Sequence, residues 1–320
     1  MVIGRQKIPE KQAGKKGVAQ SVSTGVMKKS DLAGKSFALQ RKMLSPKKKP
    51  AKRPEDEMVR EDNPPTTDDS QYKYEEFKGE AFIKGEGDAL DIQPDDVKQG
   101  YLGDCYLVAV LGAVAHTDPD LIRNMIKDNG NGTYDVTFRM DIAWYGAEKK
   151  TVTVDSKFPT RGDQRPVYSK VGDTKTEGAE TKSELWVMII EKAWAIVKGS
   201  YKNIEGGNPG TFMEKVTGKK SDIFSPSSVA DSDLIARLST AQKNGNPVSC
   251  HTPPDTTFKE NEALKKLADE MSVYANHAYS FMKVDGGKII LRNPWGTMDP
   301  KPLDPADFKK LCSQVQINKA

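Results

Sequence analysis

Apolar residues recur at helical spacing most strongly between residues 183 and 198. Leu185, Trp186, Ile189, Ile190, Ala193, Trp194 and Val197 fall on one stripe, and Gly199 stands where a helix end favours glycine. A second helix is predicted over 104–115, with Asp104 at its N-cap and the apolar run 107–115 behind it. Residues 133–140 alternate apolar and polar, as a strand does, and 151–155 read as a second short strand. Further helices are predicted over 231–244 and 261–271, a strand over 247–251, and a short last helix over 307–312. Strands over 277–284 and 289–293, joined through Asp285-Gly286-Gly287-Lys288, form a β-hairpin pattern. Helices gather early and strands late, which predicts an α+β protein of two packed subdomains, a helical one over 76–218 and a β-rich one over 219–320.

Composition shifts sharply upstream. Before Tyr72 the chain has one aromatic residue, Phe37, amid Lys, Gly, Ser and Pro. Such a segment buries too little apolar surface to offset its ordering entropy, so residues 1–75 read as a disordered arm. Residues 1–53 hold fifteen Lys and Arg against two Asp and Glu. That balance of +13 faces −9 over the remainder, so the overall +4 describes a basic tail on an acidic body. The arm, most basic at Lys47-Lys48-Lys49, is a candidate for nucleic-acid, membrane or targeting contacts.

Three cysteines with no Cys-x-x-Cys pair argue against a disulfide framework. A reducing compartment, the cytoplasm by default, is expected, with non-classical secretion or delivery as an effector left open. The longest apolar run is about half a membrane span, so no transmembrane segment is expected, and the first 30 residues show no secretory leader.

Cysteine placement matters most at Gln99-Gly100-Tyr101-Leu102-Gly103-Asp104-Cys105. A sulfur at a helix start meets free N–H groups and the positive dipole end, which favour a thiolate nucleophile. Its base must be one of three histidines. His116 closes the helix of Cys105 three turns away, and His251 follows Cys250 on a strand facing the other side. His277 opens the hairpin and Asn293 closes it, so strand pairing brings an amide oxygen beside the imidazole, where it would fix tautomer and aim.

The order Cys, His, Asn is that of papain-like proteases. Within that group Gln99-Gly-x-Leu-Gly-Asp-Cys105, His277-Ala-Tyr-Ser and Arg292-Asn-Pro-Trp-Gly296 resemble the catalytic core of the calpain family. So do Leu185-Trp186-x4-Glu191-Lys192-Ala193-Trp194 with Gly206-Gly207 after it, and Val154-Asp155-x-x-Phe158-Pro159-Thr160. The resemblance spans residues 80–320, without the family's C-terminal calcium-binding modules. It implies a papain-like fold of two subdomains and cysteine endopeptidase activity on protein substrates through a thiolate–imidazolium pair. Cys105 would be the nucleophile, His277 the base, and Asn293 its orienting partner. Gln99 and the Cys105 N–H would hold the oxyanion, and Trp295 would shield the His–Asn contact.

The resemblance also implies calcium. For a first site it offers Asp96 and Glu191, with carbonyls near Ala89 and Asp91. Asp299 matches a second site, but the acidic, tryptophan-containing ribbon expected beyond it is missing, so one calcium at most is expected. Cys and His spacing predicts no zinc site, and Gly85-Glu86-Gly87 is too little for a nucleotide-phosphate loop. Two other functions use the same residues differently. A Cys-dependent acyl transferase would need the same thiolate and base, and a catalytically silent protein would act through its basic arm.

Overall fold

The stripe read at 185–197 forms a helix over Trp186–Lys198, ended by Gly199 at φ 89°. Its burial goes beyond one face. Every residue from Trp186 to Ile196 is buried, including Glu191 and Lys192. The helix Cys105–Thr117 is likewise buried from Tyr106 through Ala115. Each fully buried Leu or Ile here, such as Leu107, Leu111, Ile189 and Ile190, contributes about 1.5–3 kcal/mol of transfer free energy.

The computed structural model describes residues 59–60, 63–143 and 146–319, all within the unit Asp56–Ala320. The basic stretch 1–53 lies outside the described residues. In chain order the first lobe runs β1 (Val59–Arg60), β2 (Lys73–Glu76), β3 (Gly79–Glu80), α1 (Cys105–Thr117), α2 (Pro119–Arg123), β4 (Ile126–Asp128), β5 (Thr133–Ala143), β6 (Gly146–Asp155), β7 (Lys157–Thr160), β8 (Thr174–Glu177), β9 (Glu180–Glu184), α3 (Trp186–Lys198) and α4 (Pro209–Thr217). The second runs β10 (Ser221–Phe224), α5 (Asp231–Lys243), β11 (Val248–His251), α6 (Asp255–Lys259), α7 (Glu262–Met271), β12 (Ala278–Asp285), β13 (Lys288–Arg292), α8 (Pro305–Leu311) and β14 (Gln314–Asn318).

This is an α+β architecture, with strands in both lobes. The first lobe sets α3 and α4 against a sheet of order β1-β6-β5-β4, with two smaller sheets beside it. The second wraps its helices around an antiparallel sheet of order β10-β14-β11-β12-β13. Each lobe has its own core, the first ending at Val216 and the second beginning at Leu234.

Residues 63–75, assigned to the arm on composition, belong to the body. The Tyr201 N–H donates to Pro65 O (2.9 Å), Tyr74 Oη to Pro64 O (2.6 Å) and the Thr67 N–H to Tyr168 Oη (2.8 Å). Lys192, 1% exposed, reaches Asn63 Oδ1 (2.6 Å), Asp155 Oδ1 (2.5 Å) and Lys157 O (2.8 Å). Apolar composition misses such a segment because polar partners on the body hold it, and a buried ammonium needs those partners.

The hairpin turn is as read. Gly286 and Gly287 both have positive φ, 56° and 79°, as a two-residue primed turn requires. The ladder is irregular, however. Pairing shifts from Lys283↔Ile290 to Phe281↔Leu291, leaving Met282 as a bulge. The extra carbonyl, Met282 O, accepts from His116 Nε2 at the end of α1 (2.7 Å). Beyond the last pair, Ser280↔Arg292, Asn293 falls level with Tyr279. Tyr279 lies two along from His277, on the same side of the strand. Without the bulge Asn293 would fall level with Ser280 and point to the opposite face.

Helix α1 packs directly on β12. Ser280 Oγ donates to Ala109 O (2.7 Å), and a Cβ at Gly112 would lie 2.7 Å from that hydroxyl. The helix that Cys105 opens and the strand that follows His277 therefore meet across the two lobes.

Candidate active site

Cys105 opens α1 and is half-buried. Its sulfur accepts from the backbone N–H of Ala278, the residue after His277. Asp104 occupies the N-cap position but makes no capping bond. Its fully buried side chain turns away from the helix, accepts from Gln99 Nε2 (3.1 Å) and shares a hydrogen bond with Glu191.

His277 lies at the mouth of the hairpin, 5% exposed. Its Nε2 faces Asn293 Oδ1 at 3.0 Å. Asn293 is fully buried, and each of its side-chain polar atoms has a partner. Oδ1 also accepts from the Trp295 N–H (3.1 Å), and Nδ2 donates to Met298 O (3.2 Å). Trp295 lies over the His277 ring, centroids 4.7 Å apart and planes at 44°.

Two contributors were not singled out from sequence. Tyr274 lies against Trp295 at 4.6 Å with planes at 53°, and edge-on to His277 at 6.4 Å. Thr252, also fully buried, brackets the His277 backbone: its N–H donates to His277 O (2.9 Å) and its Oγ1 accepts from the His277 N–H (2.9 Å). Tyr274, three residues before His277, was a signal in plain view. Thr252 depends on a long-range meeting of β11 and β12 that no local pattern gives.

Electrostatics here run against a standing ion pair. Burial pushes the Cys105 thiol up to about 11, and the Asp104 charge adds to it. Burial holds His277 down at about 4, against the opposing bond to Asn293. Desolvation of both groups thus opposes the thiolate that the helix dipole favours. A charged pair forms only by passing the thiol proton to the imidazole.

Gln99 is placed beside the nucleophile, but its amide turns inward. Nε2 donates to Leu102 O (2.7 Å) and to Asp104, while Oε1 has no partner. The backbone of this loop is tied to the other lobe. The Gln99 N–H donates to Pro294 O (2.8 Å), and Arg292 Nη2 donates to Val97 O (3.0 Å).

The acids expected to hold calcium separate. Asp96 accepts from the Gln93 N–H (2.7 Å) and lies beside Glu184, not Glu191. Glu191 is engaged with Ser169 and Asp104. It sits two helical turns past Glu184, so the pattern of the α3 stripe could not tell which acid faces Asp96. Burial pushes Asp96 up to about 6 and Glu184 up to about 9, with Asp173 and Asp96 adding like charge to Glu184. Two buried carboxyls that share one hydrogen, and would repel each other if both ionised, suit a hard cation. Among the described residues, no three acidic, imidazole or thiol groups already converge as a metal cage. Asp299 is drawn into the loop itself, accepting from the Asn293 N–H (2.8 Å). A cavity of about 550 Å³ lined by Asp222, Arg237, Asn246 and Lys319 contains none of the residues described above. Among the described residues no helix is long and apolar enough to cross a membrane.

Sequence comparison agrees with the architecture. The family model described as calpain family cysteine protease matches residues 78–301. The chain belongs to the calpain family of cysteine proteases. Calpain clp-4 of Caenorhabditis elegans is 28% identical over 205 residues, 63% of this chain and 27% of that protein. Human calpain-9 is 30% identical over 237 residues, 68% of this chain and 32% of its own length. Calpain-A of Drosophila melanogaster is 28% identical over 218 residues, 63% of this chain and 24% of its own. The chain thus spans a third or less of these calpains, and its matching region contains Gln99, Cys105, His277, Asn293 and Trp295.

Proposed function

We propose that this protein is a cysteine endopeptidase that cleaves peptide bonds in protein substrates and responds to calcium. The observation that carries the reading is the His277–Asn293 pair, 3.0 Å apart under the Trp295 ring, next to the residue whose N–H meets the Cys105 sulfur.

The chemistry follows from these groups. The Cys105 sulfur attacks the scissile carbonyl carbon as the thiol proton passes to His277. A C–S bond forms and the carbonyl π pair moves onto oxygen. The oxyanion meets the Cys105 N–H and a Gln99 N–H released from its inward contacts; such a donor typically contributes about 3 kcal/mol. The C–N bond then breaks as His277 gives its proton to the leaving amine. Water, deprotonated by His277, attacks the thioester; the C–S bond breaks and the thiol is restored. Asn293 holds the imidazole's other nitrogen throughout, and Trp295 keeps water from that contact.

Calcium, when bound, would be held by Asp96 and Glu184 with backbone carbonyls near Ala89 and Asp91, and would supply the charge that lets both acids ionise. Free thiols at Cys105, Cys250 and Cys312 suit a reducing compartment. The test is casein cleavage by the full chain, with and without calcium. Wild type should cleave, more rapidly with calcium, and Cys105→Ala should not. Cleavage that survives Cys105→Ala, or none by wild type under either condition, would overturn the reading.

A further inference from the structure

The cleavage reaction uses no atom of Glu191, yet this acid lies in the middle of α3 at 2% exposure. Carboxyls are rarely so buried unless paired, and this one has two sets of partners. Its Oε1 accepts from the Ser169 N–H (3.0 Å) and Ser169 Oγ (2.7 Å), and Oε2 lies 3.2 Å from the same N–H. On the other side it shares a hydrogen bond with Asp104. Burial and the Asp104 charge hold Glu191 well above the usual carboxylate range, so it keeps its proton. Both Ser169 groups donate to Glu191, so the single hydrogen it can give goes to Asp104.

Each partner leads to Gln99 by its own route. Asp104 accepts from the Gln99 side chain and is bonded in sequence to Cys105. Ser169 lies in the segment that carries the Gln99 backbone. The Tyr101 N–H donates to Val167 O (2.9 Å) and the Lys170 N–H to Lys98 O (2.8 Å). Gly100 is pressed so close that a Cβ there would sit 1.8 Å from Tyr168 O. One neutral carboxyl thus braces both the backbone and the side chain of Gln99 from below. Asp104 also competes with an oxyanion for the Gln99 amide. A hydrogen supplied by Glu191 lowers the charge Asp104 can offer and weakens its hold on that N–H.

We propose that Glu191 is a positioning residue for peptide-bond cleavage, setting the Gln99 amide through Asp104 and Ser169 so that one N–H can pass to the oxyanion. The proposal rests on the cysteine peptidase reading above. It assigns the α3 acid a role distinct from any cation, which falls instead to Asp96 and Glu184.

Two reactions of the full chain separate this role from loss of structure. Cleavage of a peptide amide needs the oxyanion donor. Alkylation of Cys105 by iodoacetamide, read by mass spectrometry, needs the sulfur but forms no oxyanion. For Glu191→Ala and Ser169→Ala we expect kcat to fall about tenfold or more, with KM and the alkylation rate within about threefold of wild type. Glu191→Gln keeps an acceptor for Ser169 and a donor for Asp104, and should recover most of what Glu191→Ala loses. Glu191→Gln as deficient as Glu191→Ala, alkylation falling in step with kcat, or wild-type turnover in both alanine variants would each overturn the proposal. Should Glu191→Ala not fold, Ser169→Ala and Glu191→Gln decide on the same terms. A wild type that is alkylated at Cys105 but cleaves nothing, with or without calcium, would instead sink the peptidase reading itself.

Discussion

His277 shows how a single side chain links burial to both chemistry and stability. Its imidazole is enclosed by Trp295, Tyr279 and Asn293, with ring centroids 4.7 Å and 5.0 Å from the two aromatics. Burial keeps it neutral down to about pH 4. That is the form a base must have before it takes a proton. In the unfolded chain the same group protonates near 6.5. Between 6.5 and 4 the unfolded state therefore binds the extra proton, so this stabilising contribution is complete above 6.5 and lost as pH falls toward 4. The loss approaches about 3 kcal/mol. Asp96 and Asp104, raised to about 6, act in the opposite sense, because their folded forms hold protons that the unfolded chain has released. Comparing variants isolates the histidine. Urea unfolding from pH 7 to 4.5 should show wild type losing more stability than His277→Gln; equal losses would contradict the burial argument.

Residues were legible in the sequence wherever chemistry fixes a motif. Cys105, His277, Asn293, Gln99 and Trp295 were named from their neighbours; the structure sets His277, Asn293 and Trp295 in contact and turns the Gln99 amide to Asp104, the residue before Cys105. Glu191 was expected beside Asp96, where Glu184 lies instead, because both are acids on or next to one helix. Their facing is decided by packing, and spacing alone does not give it. The polar segment 63–75 was missed for a related reason, since its partners are distant in sequence.

At the level of elements, the hairpin brings His277 and Asn293 together, and the Met282 bulge sets which face Asn293 joins. The two glycines of the turn were readable because their positive φ has a residue signature. The bulge was not, since Met282 looks like any strand residue and its carbonyl is taken by His116 from another element. Deleting Met282 removes the extra residue without changing the pairs on either side of it, so Asn293 should stay level with Tyr279 and peptide cleavage should survive, while the bond from His116 is lost. A deletion variant that keeps the far-ultraviolet circular dichroism of wild type but cleaves nothing would contradict this register.

Across the whole molecule, the lobes are joined next to the chemistry by Gln99–Pro294, Arg292–Val97 and Ser280–Ala109. The acids Asp96 and Glu184 sit one short segment away from that seam. Glu184 holds its proton up to about pH 9 when folded and would lose it near 4.5 when unfolded, so stability declines as pH rises across that range. Glu184→Gln mimics the protonated form. It should raise the melting temperature at pH 8 by a few degrees without calcium and abolish the rise we expect calcium to give wild type. Glu191→Gln should keep that calcium response. A calcium shift retained in Glu184→Gln would remove this acid from the proposed cation site.

The account rests on the Cys105 sulfur and the His277 imidazole acting as one unit across the two lobes. The most direct measurement is the rate at which a peptidyl epoxide labels the full chain, with the adduct located by mass spectrometry. We predict a single adduct on Cys105, formed at least about tenfold more slowly in His277→Ala. Labelling spread over Cys250 and Cys312, or a rate at Cys105 indifferent to His277, would contradict it.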